Sequence, residues 1–409
     1  KVFAETKGDV QEGIDTAYYA ASEGRRLFGM NAPSELPNKM NLSFRVPIGV
    51  GGFITPWNFP MAIPTWKMFP ALVCGNTCVF KPAELTPKTA AILVEIIDAA
   101  MRQELGKDYI PGVINIVHGK GRIVGEAITN HPDVDLISFT GSTAVGKRIN
   151  EVAGKELKRV SLELGGKNAQ IVMADANMDL AIEAVLWGAF GTTGQRCTAT
   201  SRLILHKDIH DDFVKKLVEK ASKLRLGYGN DKGVDVGPCV SEAQRETVNN
   251  YVKIARDEDK ATLALGGDYA KDGDLSKGWF YKPTIFTGVT PEMRIAKEEV
   301  FGPVLAVLKC DSLENAIDIL NNTEYGLSSS IFTNNVNDAF TAVRDIQAGI
   351  TYINGATIGA EAHMPFGGVK ATGNGHREGG WTVYDFYTEW KAVYIDYSGK
   401  LQRAQIDNY

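Results

Sequence analysis

The sequence predicts an α/β protein built on a parallel sheet with helices covering both faces. Two observations carry this. Short apolar runs alternate with stretches of helical period, and the connections between them are short and marked by glycine or proline. At 409 residues and 44% hydrophobic content, the chain exceeds one small core and is expected to form two or more packed units.

In chain order, residues 49–54 read as an apolar strand and 61–72 as a helix. A strand at 77–81 leads to a long helix at 87–105, with Pro87 in the first turn and Thr86 as N-cap. The pattern continues with a strand at 113–117, a short helix from Arg122, a strand at 135–139, a helix from Thr143 and a strand at 161–164. After Gly165 and Gly166 the style repeats. Residues 169–173, 203–206 and 329–332 read as strands, and 179–189, 211–226 and 313–322 as helices. Residues 264–279, rich in Gly, Asp and Lys, read as a surface excursion. Sheets of this kind bind ligands at the carboxyl ends of their strands.

Composition narrows the function. Net charge is −5 with no basic stripe, which argues against nucleic-acid or acidic-membrane binding. Residues 46–66 carry no charge, but Pro47, Pro56, Pro60 and Pro64 would break a spanning helix. The five cysteines are odd in number and form no disulfide framework, so a reducing compartment, the cytoplasm, is expected. Cys74 and Cys78 lack the His or acidic neighbours of a zinc site, and no metal is expected.

Five places carry candidate chemistry. Gly119-Lys120-Gly121 and Gly141-Ser142-Thr143-Ala144-Val145-Gly146 each follow a strand and open a helix. Such turns hold phosphates on backbone N–H groups, or are simply tight turns; the G-x-G-x-x-G dinucleotide fingerprint is absent. Cys197 follows a polar, glycine-bearing loop, poorly placed for packing, with Arg196 beside it in sequence. It reads either as an activated nucleophile or as an inert thiol. Glu163 stands between two leucines at a strand end, as a desolvated base or as a solvent-facing edge residue. Asn58, between prolines and aromatics, is a rigid amide suited to an oxyanion hole or to capping its own turn.

Together these segments resemble the NAD(P)-dependent aldehyde dehydrogenase superfamily over essentially the whole chain. The motifs are Thr55-Pro56-Trp57-Asn58-Phe59-Pro60, Lys81-Pro82-Ala83-Glu84, Phe139-Thr140-Gly141-Ser142 and Leu162-Glu163-Leu164-Gly165-Gly166-Lys167, then Gly194-Gln195-Arg196-Cys197, Glu298-Glu299-Val300-Phe301-Gly302-Pro303 and Pro365-Phe366-Gly367-Gly368-Val369-Lys370. They occur in the family's order. The resemblance implies that Cys197 attacks the aldehyde, that Asn58 and the Cys197 N–H hold the oxyanion, and that Glu163 activates water. It implies NAD as cofactor, with NADP less favoured. Glu299 and Phe301 would meet the nicotinamide ribose, Lys81 and Glu84 the adenosine ribose, and Ser142 the pyrophosphate beside Trp57. Gly141 and Leu164 complete the cofactor set.

The resemblance also implies a Rossmann-like cofactor domain over 1–36 and 53–164, a related α/β catalytic domain over 165–366, and a small β arm over 37–52 and 389–397. Arm strands would pair across subunits in a homodimer or homotetramer. The family has a further segment before the position of Lys1. The helix at 10–26 is therefore expected to pack against elements of it, and the cofactor domain to be incomplete without it.

For the substrate, Arg196, Thr198 and Glu361 stand near the expected aldehyde tunnel. Gly359-Ala360-Glu361 is similar to the loop of aminoadipate-semialdehyde dehydrogenases. Polar groups there point to a semialdehyde: aminoadipate, succinate and oxoglutarate semialdehydes, in falling order. Other readings are a CoA-acylating relative, which generally lacks the base at Glu163, a catalytically silent homologue, and a cysteine hydrolase, for which no histidine sits in a recognisable motif.

Overall fold

The computed structural model describes residues 1–403 and 406. The first half is organised around a five-stranded sheet with spatial order Ile114–Ile116, Thr77–Lys81, Val50–Ile54, Leu136–Thr140 and Arg159–Glu163, parallel throughout. Successive side chains of a strand point to opposite faces. Phe53, Phe80 and Leu136 therefore join Met68 and Leu93 on one side, while Ile54, Ile137 and Phe139 join Ile149 and Leu162 on the other. Both faces are covered, so a strand such as Val50–Ile54 has no polar face. Each fully buried large apolar side chain contributes roughly 1.5–3 kcal/mol. The helix Pro87–Leu105 buries Ala90, Leu93 and Ile97, one stripe of its surface, and leaves the other side in water.

The second half forms a seven-stranded sheet: Thr262–Leu265, Thr284–Thr287, Val304–Cys310, Arg202–His206, Ala169–Val172, Ser328–Phe332 and Ile350–Ile353. All neighbours are parallel except the first pair, which is antiparallel with an irregularity between Leu263 and Leu265. Four of these strands, at 262–265, 284–287, 304–310 and 350–353, were not expected. Val304–Cys310 is buried on both faces apart from Lys309 and so shows no alternation to read. Thr262–Leu265, half-exposed at the sheet edge, overlaps the start of the expected excursion. The helix expected over 211–226 runs His210–Ala221, because the chain then turns to bridge Leu226 to Val236.

Met30–Pro33, Lys39–Pro47 and Thr388–Asp396 make a separate three-stranded antiparallel sheet. The segment 37–52 therefore divides. Its first part pairs in this sheet, and residues 50–52 belong to Val50–Ile54 in the parallel sheet. The switch is made at Ile48 and Gly49, whose N–H groups both donate to the Asn76 side-chain oxygen at 2.9 Å. Gly49 has φ +139°, and a Cβ there would stand 2.2 Å from the Asp135 carboxylate.

The strands of the five-stranded sheet end in register: Ile54 beside Lys81 and Phe139, and Thr140 beside Glu163. The segments that begin Thr55-Pro56, Pro82-Ala83, Gly141-Ser142 and Leu164-Gly165 consequently leave the sheet at one end, the end at which such sheets bind ligands.

Candidate active site

Cys197 is presented by an unusual turn. After the helix Met178–Phe190, Thr192, Thr193 and Gly194 all take left-handed backbone, with φ 51°, 60° and 65°. Threonine disfavours that region, so bonds must hold it. The Thr192 N–H donates to Glu5 Oε1 at 2.6 Å, and the Thr193 hydroxyl donates to the Gly237 carbonyl at 3.0 Å. At Gly194 a Cβ would stand 2.1 Å from the Gly302 carbonyl oxygen, so glycine lets this turn close on the segment that carries Phe301. On the far side, the Asn168 amide donates to the carbonyls of Cys197 and Ala199 at 2.7 and 2.9 Å.

The thiol itself is half-buried. Its pKa is pushed up to about 12, first by burial and then by the carboxylates of Glu299 and Glu163; the backbone N–H groups of Thr198 and Cys197 pull the other way. Arg196 does not offset this. Its guanidinium turns toward the first helix, which runs Phe3–Glu23 rather than the expected 10–26, donating to Thr192 Oγ1 at 2.9 Å and pairing with Glu5 at 3.3 Å.

Asn58 is buried and donates one amide N–H to the Gln195 carbonyl at 3.2 Å, which ties it to the cysteine loop. An amide has two such N–H groups, so a second remains for a ligand. Trp57 meets Phe301 edge-on, ring centroids 5.5 Å apart. These residues open on a cavity of about 300 Å³. The five-stranded half contributes Trp57, Asn58, Gly141, Ser142 and Leu164 to it; the other half contributes Cys197, Glu299 and Phe301. A larger cavity of about 620 Å³ shares Trp57 and Asn58.

Glu163 lies behind this wall. It is 4% exposed, and among the described residues neither carboxylate oxygen has a hydrogen-bond partner. Burial raises its pKa well above the usual carboxylate range, Glu378 adds to that, and Lys67 and Arg377 oppose it. Gly367 makes the approach possible: a Cβ there would stand 2.5 Å from Glu163 Oε1.

Lys81 and Glu84 lie apart from the cavity with Cys197. Lys81 is buried and donates to the Pro82 carbonyl at 2.7 Å; Glu84 accepts from the Gly121 N–H at 2.8 Å, linking two of the strand-end loops. Ser142 precedes the helix Thr143–Lys155 and makes no side-chain capping bond, which leaves first-turn N–H groups open to an anion. Thr198 points its carbonyl at the Thr357 hydroxyl, 2.7 Å away. The Glu361 side chain is 71% exposed, with His363 at 3.7 Å, and borders a separate recess with Tyr352 and Phe366.

Residues 1–393 match the aldehyde dehydrogenase family. The chain belongs to that family. Its relatives include the alpha-ketoglutaric semialdehyde dehydrogenase of Bacillus subtilis (strain 168), 42% identical over 97% of this chain and 79% of the relative. Another is the mouse (Mus musculus) protein named aldehyde dehydrogenase, cytosolic 1, 43% identical over 96% of this chain and 75% of the relative. Among solved structures, betaine aldehyde dehydrogenase from Staphylococcus aureus in complex with NAD+ superimposes with a TM-score of 0.93 at 33% identity, covering 98% of this chain and 78% of that one.

In this aldehyde dehydrogenase, two functional candidates escaped the sequence reading. Lys67 and Glu378 form an ion pair of 2.6 Å with side chains 0% and 2% exposed, and Lys67 also donates to the Ser138 hydroxyl at 3.0 Å. Both bear on Glu163 by charge. A signal for Lys67 existed: it is the lone charge in the apolar helix Ala62–Val73. Nothing in the sequence joins it to Glu378. Among the described residues no helix is long and apolar enough to cross a membrane.

Proposed function

We propose that this chain oxidises an aldehyde to the carboxylic acid with NAD, through a thiohemiacetal and then a thioester on Cys197. The observation that carries the reading is convergence: a thiol beside backbone N–H groups and a tethered amide with a free N–H line one cavity, and a buried, unpartnered carboxyl behind its wall bears on the thiol by charge. Cys197 gives up its thiol proton to water, and Sγ adds to the carbonyl carbon. The Asn58 amide and the Cys197 N–H receive the oxyanion, where loss of one donor costs about 3–4 kcal/mol of barrier. NAD, when bound, supplies an acceptor for hydride. Loss of hydride from the carbon held by Cys197 leaves the thioester. Glu163 then removes a proton from water, which attacks the thioester carbon and frees the acid and the thiol. The Glu163 carboxyl suits that role because its oxygens are held by no other group.

The half built on the five-stranded sheet is assigned to the cofactor and the seven-stranded half to catalysis. The residues present fit a dinucleotide: the uncapped start of Thr143–Lys155 suits its pyrophosphate, and Gly141 and Ser142 line the cavity there. Trp57, Leu164, Glu299 and Phe301 are assigned to the nicotinamide end, and Lys81 and Glu84 to the adenosine ribose. The Glu84 carboxylate would accept ribose hydroxyls and repel a 2′-phosphate. A charged hydrogen bond is worth about 1.5–3 kcal/mol, so kcat/KM with NAD should exceed that with NADP by roughly ten- to a hundredfold. Steady-state kinetics with both cofactors checks this, and parity would remove Glu84 from the assignment.

For the substrate we infer a semialdehyde. None of Arg196, Thr198 and Glu361 lines the cavity with Cys197, and Arg196 already pairs with Glu5, so the reading rests on the sequence resemblance and on the Bacillus relative. The Bacillus relative moves oxoglutarate semialdehyde ahead of the aminoadipate and succinate compounds. At least one of the three should show a higher kcat/KM than hexanal or benzaldehyde. Better turnover of hexanal or benzaldehyde than of every semialdehyde would defeat the substrate reading and leave the chemistry at Cys197 intact.

The arm strands expose Met40, Phe44, Trp390 and Tyr394. We assign this sheet to pairing with a second copy, as a homodimer or homotetramer, and place the protein in the cytoplasm on its five free cysteines.

A further inference from the structure

Lys167 closes the Gly165-Gly166-Lys167 turn, and the reaction described above leaves it without a role. Its side chain is 2% exposed, and among the described residues its ammonium has neither a hydrogen-bond nor an ion-pair partner. A buried charge of this kind is costly unless something compensates it. The charges facing it are Glu299 and Glu298, and, repelling it, Arg202. Glu298 is already engaged by Arg294 at 2.7 and 3.1 Å and by the Tyr251 hydroxyl at 2.9 Å. Arg202 donates to the carbonyls of Lys167, Ile319 and Leu320, closing the last turn of the helix Leu313–Asn321. Lys370, beyond Arg202, serves the same helix end through the Asn321 carbonyl.

Glu299 is different. Among the described residues no cation is bonded to it; Oε1 accepts from the Gly166 N–H at 3.0 Å. The carboxylate lies directly on the turn that carries Lys167, since a Cβ on Gly165 would stand 2.5 Å from Glu299 Oε2. Besides Lys167, it faces Cys197 and Tyr325.

We propose that Lys167 is a positioning residue for Glu299: its buried, unpaired ammonium keeps that carboxylate charged and seated on the Gly165-Gly166 turn, in the cavity it shares with Cys197. The inference rests on the reading of Glu299 as a cofactor-facing residue. The energetics agree. Burial pushes Glu299 up to about 7, with the Gly166 N–H and Lys167 pulling it down. Burial pushes Lys167 down to about 7 and Arg202 adds to this, while Glu299 and Glu298 oppose it. Each group makes the other's charge tolerable.

The test is Lys167→Met, with Glu299→Gln and the double variant, read in two ways. The first is the NAD dissociation constant from tryptophan fluorescence across pH. Without the ammonium, Glu299 holds its proton to higher pH, so NAD binding should weaken by roughly tenfold near neutrality and recover toward wild type in alkali. The second uses no cofactor: the rate at which iodoacetamide alkylates Cys197. A protonated Glu299 no longer opposes the thiolate, so Lys167→Met should speed alkylation near pH 8 by roughly three- to tenfold although a cation has been removed. Glu299→Gln should match that gain, and the double variant should add nothing.

A merely structural lysine predicts the opposite: equal weakening at every pH, no faster alkylation, and effects that add to those of Glu299→Gln. That result overturns the proposal. If Glu299→Gln alone leaves NAD binding unchanged, the cofactor role of Glu299 falls, and the alkylation rates still decide the Lys167–Glu299 coupling. Should Lys167→Met fail to fold, Lys167→Gln carries the same measurements.

Discussion

Glu163→Gln is expected to release at most about one equivalent of reduced cofactor per site in a burst and then stall. Hydride loss needs the Cys197 adduct, whereas the next step needs a proton taken from water. An amide cannot take it, so steady turnover should fall by about a hundred- to ten-thousandfold. Cys197→Ala should bind NAD and show neither burst nor turnover. Steady turnover of Glu163→Gln near the wild-type rate would remove Glu163 as the base. The same variant carries a stability signature. The buried Glu163 keeps its proton at pH values where the unfolded chain, near 4.3, has lost it. The folded state's advantage from this group is full below that pH and is lost as pH rises through the higher folded value. Glutamine removes the loss. Glu163→Gln should therefore melt higher than wild type near pH 8 and at the same temperature near pH 4. In the wild type, hydrolysis of the thioester should accelerate as pH rises through the elevated Glu163 value.

Lys67→Met should show the largest loss of stability. It leaves Glu378 buried without its cation, and breaking one side of a buried pair costs about 3–5 kcal/mol. The double variant Lys67→Met/Glu378→Met removes both charges and should recover most of that loss, since apolar replacements of a buried pair are often near neutral. Urea midpoints of wild type, Lys67→Met, Glu378→Met and the double variant check this, and a Lys67→Met protein within about 1 kcal/mol of wild type would show the pair to be unimportant for folding. Activity should report the same contact. Lys67 lowers the Glu163 pKa, so any folded Lys67→Met protein should need a higher pH to reach half its maximal rate of deacylation.

Much of this architecture was legible in the sequence because its signals are local. The strand ends at Ile54, Lys81, Thr140 and Glu163 are short apolar runs stopped by glycine or proline, and a parallel sheet necessarily delivers the segments after them to one end. The motif residues Trp57, Asn58, Gly141, Ser142, Leu164, Cys197, Glu299 and Phe301 accordingly border one cavity. Strands such as Val304–Cys310 were not legible, because burial on both faces erases the alternation that marks a strand. Boundaries shifted where a distant residue decided them, as Asn76 does at Ile48 and Gly49.

By itself, then, the sequence determined the α/β class, the order of the elements, and which residue types stand at the strand ends, because hydrophobic period and turn chemistry act within about ten residues. Tertiary structure alone decided the environments. It turned Arg196 toward Glu5, placed Glu378 and Lys67 beside Glu163, set Glu299 on the glycine turn before Lys167, and left Glu361 in solvent. A pKa or an ion pair depends on which charges and how much water lie within a few ångströms, and that distance is set by folding across segments remote in the chain.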